Sequence, residues 1–336
     1  MQQIEIVVTD ASQIGEARRA AIAMAARANL DETKSGRVAI IMSELASNLV
    51  RYGQKGKVLV RGEAQPDGSG SVQILAIDSG PGMDFGRCAA DGYSTGGTPG
   101  NGLGAVQRLA DVFDIYSQQP SGSVIMATVQ TSQKPQISSD NFRWACISLP
   151  APGEQLCGDT FGYRREGSKA SFMVADGLGH GPDAAKASTC ATVVFDNDPF
   201  VEGASFIQLA HGAMGGTRGA ALAIASVDTA AATLRYAGVG NIAATLYTGL
   251  NRKGLPSLNG IVGSILPRLR VFDYELSGSG MIVMHSDGLQ TRWSMDPYPG
   301  LALRHPAVIA GVLFRDFSRG RDDVTVLIGS WQGGLS

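Results

Sequence analysis

Ser171-Phe-Met-Val-Ala-Asp-Gly-Leu-Gly-His-Gly181 runs from an apolar strand directly into a carboxylate and a glycine-rich turn. Asp176 therefore stands at a strand end, where a carboxylate beside a core is costly unless it meets a cation. The same arrangement returns at Asp159 in Cys-Gly-Asp-Thr, at Asp287 in His-Ser-Asp-Gly-Leu and at Asp322 in Arg-Asp-Asp-Val-Thr. A lone Asp-Gly is more often a β-turn, but four such sites in one half of the chain point together to a shared ion. Hard oxygen donors from several strands suit Mg2+ or Mn2+ rather than zinc. One carboxylate bridging two ions would let them activate a water for in-line attack on a phosphate, with no side-chain nucleophile. His180 and His285 flank these turns, either as supporting groups and proton donors or as ordinary packed or surface histidines.

Around this stretch, strand-like segments dominate: 220–227, 233–237, 269–276, 281–285 and 324–328, with helical stretches near 183–192, 204–214 and 305–317. That order suggests an antiparallel sandwich flanked by helices. Upstream, the polar stretch from Thr131 to Asn141 reads as a linker. Before it, 13–29 is an Ala-rich helix, and Glu32 to Arg51 is another, with Val38, Ile41, Met42, Leu45 and Leu49 on its apolar face and Gly53 as a stop. Segments 58–64 and 71–77 around Asp67-Gly68 form a hairpin. The boundaries are thus 1–131, a linker at 132–141, and 142–336. With 336 residues, 44% apolar and 17% charged, the chain can fill two cores.

A net charge of -2 and scattered Lys and Arg argue against nucleic acid as a partner. No basic leader precedes an apolar core, and no apolar run reaches the roughly 18 residues of a membrane span. A cytoplasmic location without membrane contact is the expectation. Cys88, Cys146, Cys157 and Cys190 show no metal-ligand spacing and read as reduced thiols.

The first half carries a second constellation. Glu44 and Asn48, one helical turn apart, project from one side of their helix. A carboxylate and an amide so placed can polarise a nucleophile and hold Mg2+ against phosphates, although a solvated helix face has the same pattern. Asp78 follows an apolar run and precedes Ser79-Gly-Pro-Gly82, where it could accept a purine amine while the glycines let the ring approach. The segment from Tyr93 to Gly104 then offers backbone N–H groups and a helix N-terminus to phosphate oxygens.

In this order the three pieces resemble the N-box, G1 box and G2 box of the GHKL ATPase superfamily. Asp91-Gly-Tyr-Ser-Thr95 and Gly102-Leu-Gly-Ala-Val-Gln-Arg-Leu-Ala-Asp111 resemble its RsbT-like serine/threonine kinases. The resemblance implies ATP and Mg2+ as ligands, Glu44 as the base, Asn48 as the Mg2+ ligand and Asp78 as the adenine contact. Gly80, Gly82, Ser94, Thr95, Gly100, Gly102 and Gly104 would hold phosphates and lid.

Gly158-Asp159, Val174 to Gly181, Arg218-Gly-Ala, Tyr236 to Asn241, Met284 to Leu289 and Gly320 to Thr325 are together similar to the SpoIIE/RsbX-like PP2C-type phosphatases. That likeness implies two Mn2+ or Mg2+ ions, with Asp176 bridging, the Gly177 carbonyl beside it, Asp287 and Asp322 on the first ion and Asp159 nearby. Asp323 takes the place of an asparagine common in eukaryotic relatives, so which of Asp322 and Asp323 binds metal stays open. The expected architecture is a two-domain α/β (α+β) chain, a GHKL (Bergerat) ATPase α/β sandwich followed by a PP2C-like α/β/β/α sandwich. The implied substrates are STAS-domain anti-sigma antagonists or stressosome proteins, with a sigma factor or downstream effector as a further partner. Two other readings make the first domain an anti-sigma binding module or a nucleotide sensor that gates the phosphatase.

Overall fold

Period-2 alternation governs the first sheet. The computed structural model describes residues 3–65, 67–83, 102–131, 142–249 and 251–333. Ser94, Thr95, Gly100, Cys88 and the linker at 132–141 lie outside them. Strands β1 (Gln3–Val7), β2 (Lys57–Ala64), β3 (Gly70–Asp78), β4 (Val112–Gln118) and β5 (Gly122–Gln130) pair in the order β1-β2-β3-β5-β4, every pairing antiparallel. Val58, Val60, Ile74, Ala76, Ile125 and Ala127 point to one face. Helices α1 (Ser12–Arg27) and α2 (Glu32–Tyr52) cover it with Met24, Val38, Ile41, Met42 and Leu45. The start of α2 is fixed by Asp31, whose side chain accepts the Lys34 N–H at 2.8 Å. A short helix, α3 (Gly102–Leu109), completes this layer.

The opposite face of the same sheet, Leu59, Leu75, Ile77, Val124 and Met126, is also buried. That is why the later part of β3, Ile74 to Ile77, reads as a continuous apolar run rather than an alternating one. The chain folds as two compact units, and the first takes in Ser294–Arg315 as well as Met1–Ser138. Sequence reasoning assigns Ser294–Arg315 to the later domain; the structure groups it with the earlier one because the second sheet face needs a cover. Within that unit the last helix, whose Pro306–Phe314 are all buried, sets Gly311 against Val124 and Phe314 beneath the Lys57 ammonium, 5.0 Å from ring centre. Asp114 on β4 accepts the His305 N–H at 2.6 Å and pairs with Arg304 at 3.4 Å. A Cβ at position 311 would lie 2.6 Å from Val124 Cγ1. Gly311→Val is therefore expected to lower stability by about 1–3 kcal/mol, measured by urea unfolding, because a well-packed contact has no room for it. Unchanged stability would argue against this packing.

The second unit holds Ser139–Trp293 and Asp316–Ser336. Its strands are β6 (Phe142–Leu149), β7 (Asp159–Glu166), β8 (Lys169–Gly177), β9 (Ala220–Asp228), β10 (Thr233–Val239), β11 (Ala243–Thr248), β12 (Asn251–Leu255), β13 (Phe272–Glu275), β14 (Gly280–His285) and β15 (Val324–Trp331). They form two five-stranded sheets, β13-β10-β9-β8-β7 and β12-β11-β14-β15-β6. Phe172 and Val174 point into the core between them, with Ala223, Tyr236, Leu246, Ile282, Met284 and Leu327. Their neighbours Met173 and Ala175 point outward, where α4 (Pro182–Asn197) and α5 (Gly203–Ala213) cover them with Ala191, Phe195, Phe206 and Ile207. Among the described residues no helix is long and apolar enough to cross a membrane.

Candidate functional site

In the first unit, α2 presents Glu44 and Asn48 half-buried beside its apolar stripe. Gly102 opens α3 against the first of them: a Cβ there would lie 2.7 Å from Glu44 Oε2. A side chain there would crowd that carboxylate and push its flexible end aside. The far end of α3 is fastened by Arg37, which the sequence did not single out. Its Nε donates to the Leu109 carbonyl at 2.7 Å and its guanidinium pairs with Asp111 at 2.7 Å, while Asp111 also accepts the Gln130 N–H. Gly104 is buried in the same helix.

Asp78 ends β3 at 9% exposure, and its Oδ1 accepts the Gly80 N–H at 2.7 Å. Burial pushes its carboxyl above the usual range, opposed by that N–H and by the Arg315 charge. The glycines are sterically required here. A Cβ on Gly80 would lie 2.7 Å from the Tyr52 carbonyl oxygen, and Gly82 has φ +72 beside the Gln118 carbonyl. The arrangement fits a ligand that needs close backbone approach and a strand-end acceptor. The expected phosphate contacts Ser94, Thr95 and Gly100 fall outside the described residues.

In the second unit, β7 and β8 pair so that Asp159 lies directly opposite Asp176. Asp287 follows the end of β14 and accepts from Asn241 Nδ2 at 2.9 Å. Asp322 and Asp323 precede β15. Asp323 is buried and its Oδ1 accepts the Ala151 N–H at 2.8 Å, whereas Asp322, half-buried, accepts the Asp323 N–H at 3.0 Å. Gly177 packs tightly on α4, since a Cβ there would meet the Ala184 carbonyl oxygen at 2.1 Å.

Electrostatics tie these carboxylates together. Burial first, then the Asp176 charge, pushes Asp159 well above its usual range; burial, with Asp287, Asp322 and Asp323 beside it, lifts Asp176 to about 7. Asp159 Oδ1 and Asp323 Oδ2 are buried and find no hydrogen-bond partner. Orphaned buried carboxylate oxygens among like charges fit a hard divalent cation. Even so, among the described residues no three His, Cys, Asp or Glu side chains stand close enough to share one ion. The structure brings the five aspartates to one end of the sandwich.

His285 is no proton relay. Its Nδ1–H donates to the Ser286 carbonyl at 2.8 Å, its Nε2 accepts the Trp293 indole N–H at 2.9 Å, and burial holds its pKa below the ordinary value. His180 is exposed and lies 2.6 Å from Glu154. Cys146, Cys157 and Cys190 are free thiols, and burial raises that of Cys157.

Residues 7–129 match the family of histidine kinase-like ATPase domains. The early part of the chain is 37% identical over 92 residues to the serine/threonine-protein kinase RsbT of Bacillus subtilis (strain 168), covering 27% of this chain and 68% of that protein. The rest is 25% identical over 152 residues to the phosphoserine phosphatase RsbX of the same organism, covering 45% of this chain and 76% of that one. The early part of the chain belongs to the RsbT-like kinase family, and the rest carries RsbX and PP2C phosphatase homology. A crystal structure of RsbX in complex with magnesium shares the fold of the RsbX-like part, with a TM-score of 0.51 at 21% identity, over 57% of this chain and 96% of that one. The GHKL-like and PP2C-like architectures expected from sequence are the ones observed. The two likenesses support serine/threonine kinase and phosphatase activity, one in the RsbT-like part and the other in the RsbX-like part.

Proposed function

We propose that the chain is a bifunctional regulator of a bacterial partner-switching pathway, phosphorylating and dephosphorylating serine or threonine on STAS-domain proteins of the anti-sigma antagonist or stressosome kind. The observation that carries this reading is the coexistence of two separately built sites, Glu44 against Gly102 in one unit and five converging aspartates in the other. In the first, Asp78, the glycine turns and Asn48 would hold adenine, phosphates and Mg2+, with Ser94, Thr95 and Gly100 completing the cradle. Glu44 would take the proton from the incoming hydroxyl. In the second, Asp176, Asp287, Asp322 or Asp323, the Gly177 carbonyl and Asp159 would hold two Mn2+ or Mg2+ ions. When bound there, such ions would offer positive charge to the phosphate and acidify a water. What the chain itself contributes is a set of strand-end carboxylates, Asp159 and Asp323 buried and Asp176, Asp287 and Asp322 half-buried.

Labelled ATP and a STAS-domain partner test the proposal. Transfer of label to a serine or threonine, and its release on adding Mn2+, with both mapped to the same residue, is the expected result. Modification of different residues by the two activities, or no transfer at all, would defeat it.

One observation favours a second reading, in which the first unit senses nucleotide and gates the phosphatase. Ser294–Arg315, which lies in sequence between Asp287 and Asp322, is part of the first unit, and Arg315 Nη1 donates to the Asp78 carbonyl at 3.4 Å. Phosphatase turnover that changes with a non-hydrolysable ATP analogue, without phosphotransfer, would select this reading.

A further inference from the structure

Ser286 links the two sheets of the second unit at the point where the aspartates converge. It is fully buried, one residue beyond the end of β14 and one before Asp287. Its backbone N–H donates to the Thr325 carbonyl at 3.1 Å, and its hydroxyl oxygen accepts the Thr325 N–H at 3.0 Å, which locks the turn carrying Asp287 to β15, just after Asp322 and Asp323. That hydroxyl then donates across the core to Asp159 Oδ2 at 2.6 Å. Asp159 opens β7 in the other sheet, opposite Asp176.

One hydroxyl thus spends both its donor and its acceptor capacity on tying the loops of one sheet to the carboxylates of the other. At 2.6 Å this is a short hydrogen bond, of the length seen where a hydroxyl meets a carboxyl oxygen. Because it occupies Oδ2, it also decides which oxygen of Asp159 stays free, and that oxygen, Oδ1, is the buried one with no partner. An ordinary buried serine would satisfy itself on backbone alone; this one orients a carboxylate.

We infer that Ser286 is a positioning residue for the phosphatase site, holding Asp159 with Oδ1 toward the ion and keeping the carboxylates of the two sheets in register. The inference rests on the metal-site reading above. Groups that orient metal ligands typically change metal affinity by about 10–100-fold when removed.

The test is calorimetric titration of the nucleotide-free full chain with Mn2+, alongside Mn2+ electron paramagnetic resonance and thermal melts. Ser286→Ala should bind Mn2+ about 10–100-fold more weakly than the parent with an altered spectrum. Ser286→Cys, nearly the same size but a weak donor, should behave alike and carries the test if the alanine variant fails to fold. In an Asp159→Ala background, where the acceptor of the Ser286 hydroxyl is gone, Ser286→Ala should cost clearly less than it does in the parent. Parent-like affinity in the Ser286 variants, or losses that add fully in the double variant, would overturn the inference. A parent chain that binds no Mn2+ would instead overturn the metal-site reading beneath it.

Discussion

Asp176→Asn is expected to reduce phosphatase turnover by about a thousandfold or more, the scale on which a metal site is lost. The substitution keeps the shape of the side chain and removes its charge. Asp176 lies at the centre of the set: it pairs in register with Asp159, and Asp287, Asp322 and Asp323 all press on its ionisation. Nucleotide binding should be untouched, because Glu44, Asn48 and Asp78 belong to the other unit. Release of phosphate from a phosphoserine partner, assayed with ATP binding on the same preparation, checks both halves of the expectation. Near-normal turnover would remove Asp176 from the metal assignment.

Glu44→Ala should slow phosphotransfer by about a hundredfold or more, the usual contribution of a positioned base, while ATP affinity changes little. The structural reason is that Glu44 sits at the mouth of α3, pressed against Gly102, rather than among the turns that include Asp78, Gly80 and Gly82. Asn48→Ala should act in the opposite way, weakening Mg-ATP binding more than transfer. Transfer of labelled phosphate at the parent rate by the Glu44 variant would favour the binding-module reading of the first unit over the kinase.

How much of this was legible from the sequence depends on whether the signal is local. The spacing of Glu44 and Asn48 is a property of one helix, and the apolar stripe from Val38 to Leu49 locates that helix to within a residue at its C-terminal end. Asp78 and Asp176 follow runs of apolar residues, so their strand-end positions were readable too. β7 was not readable as a strand, since Arg164, Arg165 and Glu166 lie on an exposed sheet edge and give it no apolar alternation. β4 was hidden for a similar reason: as an edge strand it is largely half-buried and carries Asp114 and Gln118. The 269–276 segment yields only Phe272–Glu275, because it too forms an edge and pairs with β10 alone. Ser286, Asn241 and Arg37 act through partners between 39 and 127 positions away in sequence, counting Ser286 to Thr325 and to Asp159, and no local pattern marks such contacts.

The segment Ser294–Arg315 has a consequence for how such a protein can arise and be taken apart. It is encoded between Asp287 and Asp322, yet it forms the wall of the ATPase sheet on the side where Val124 meets Gly311. A chain made by joining two genes end to end could be cut again at the join into two self-sufficient pieces. Here a cut at 132–141 would strip one piece of its wall and leave the other with nine consecutive core residues, Pro306–Phe314, taken from the body they complete. The two units are therefore coupled in sequence: the first cannot be lifted out at its C-terminal boundary without losing Ser294–Arg315, which the chain supplies only after Trp293.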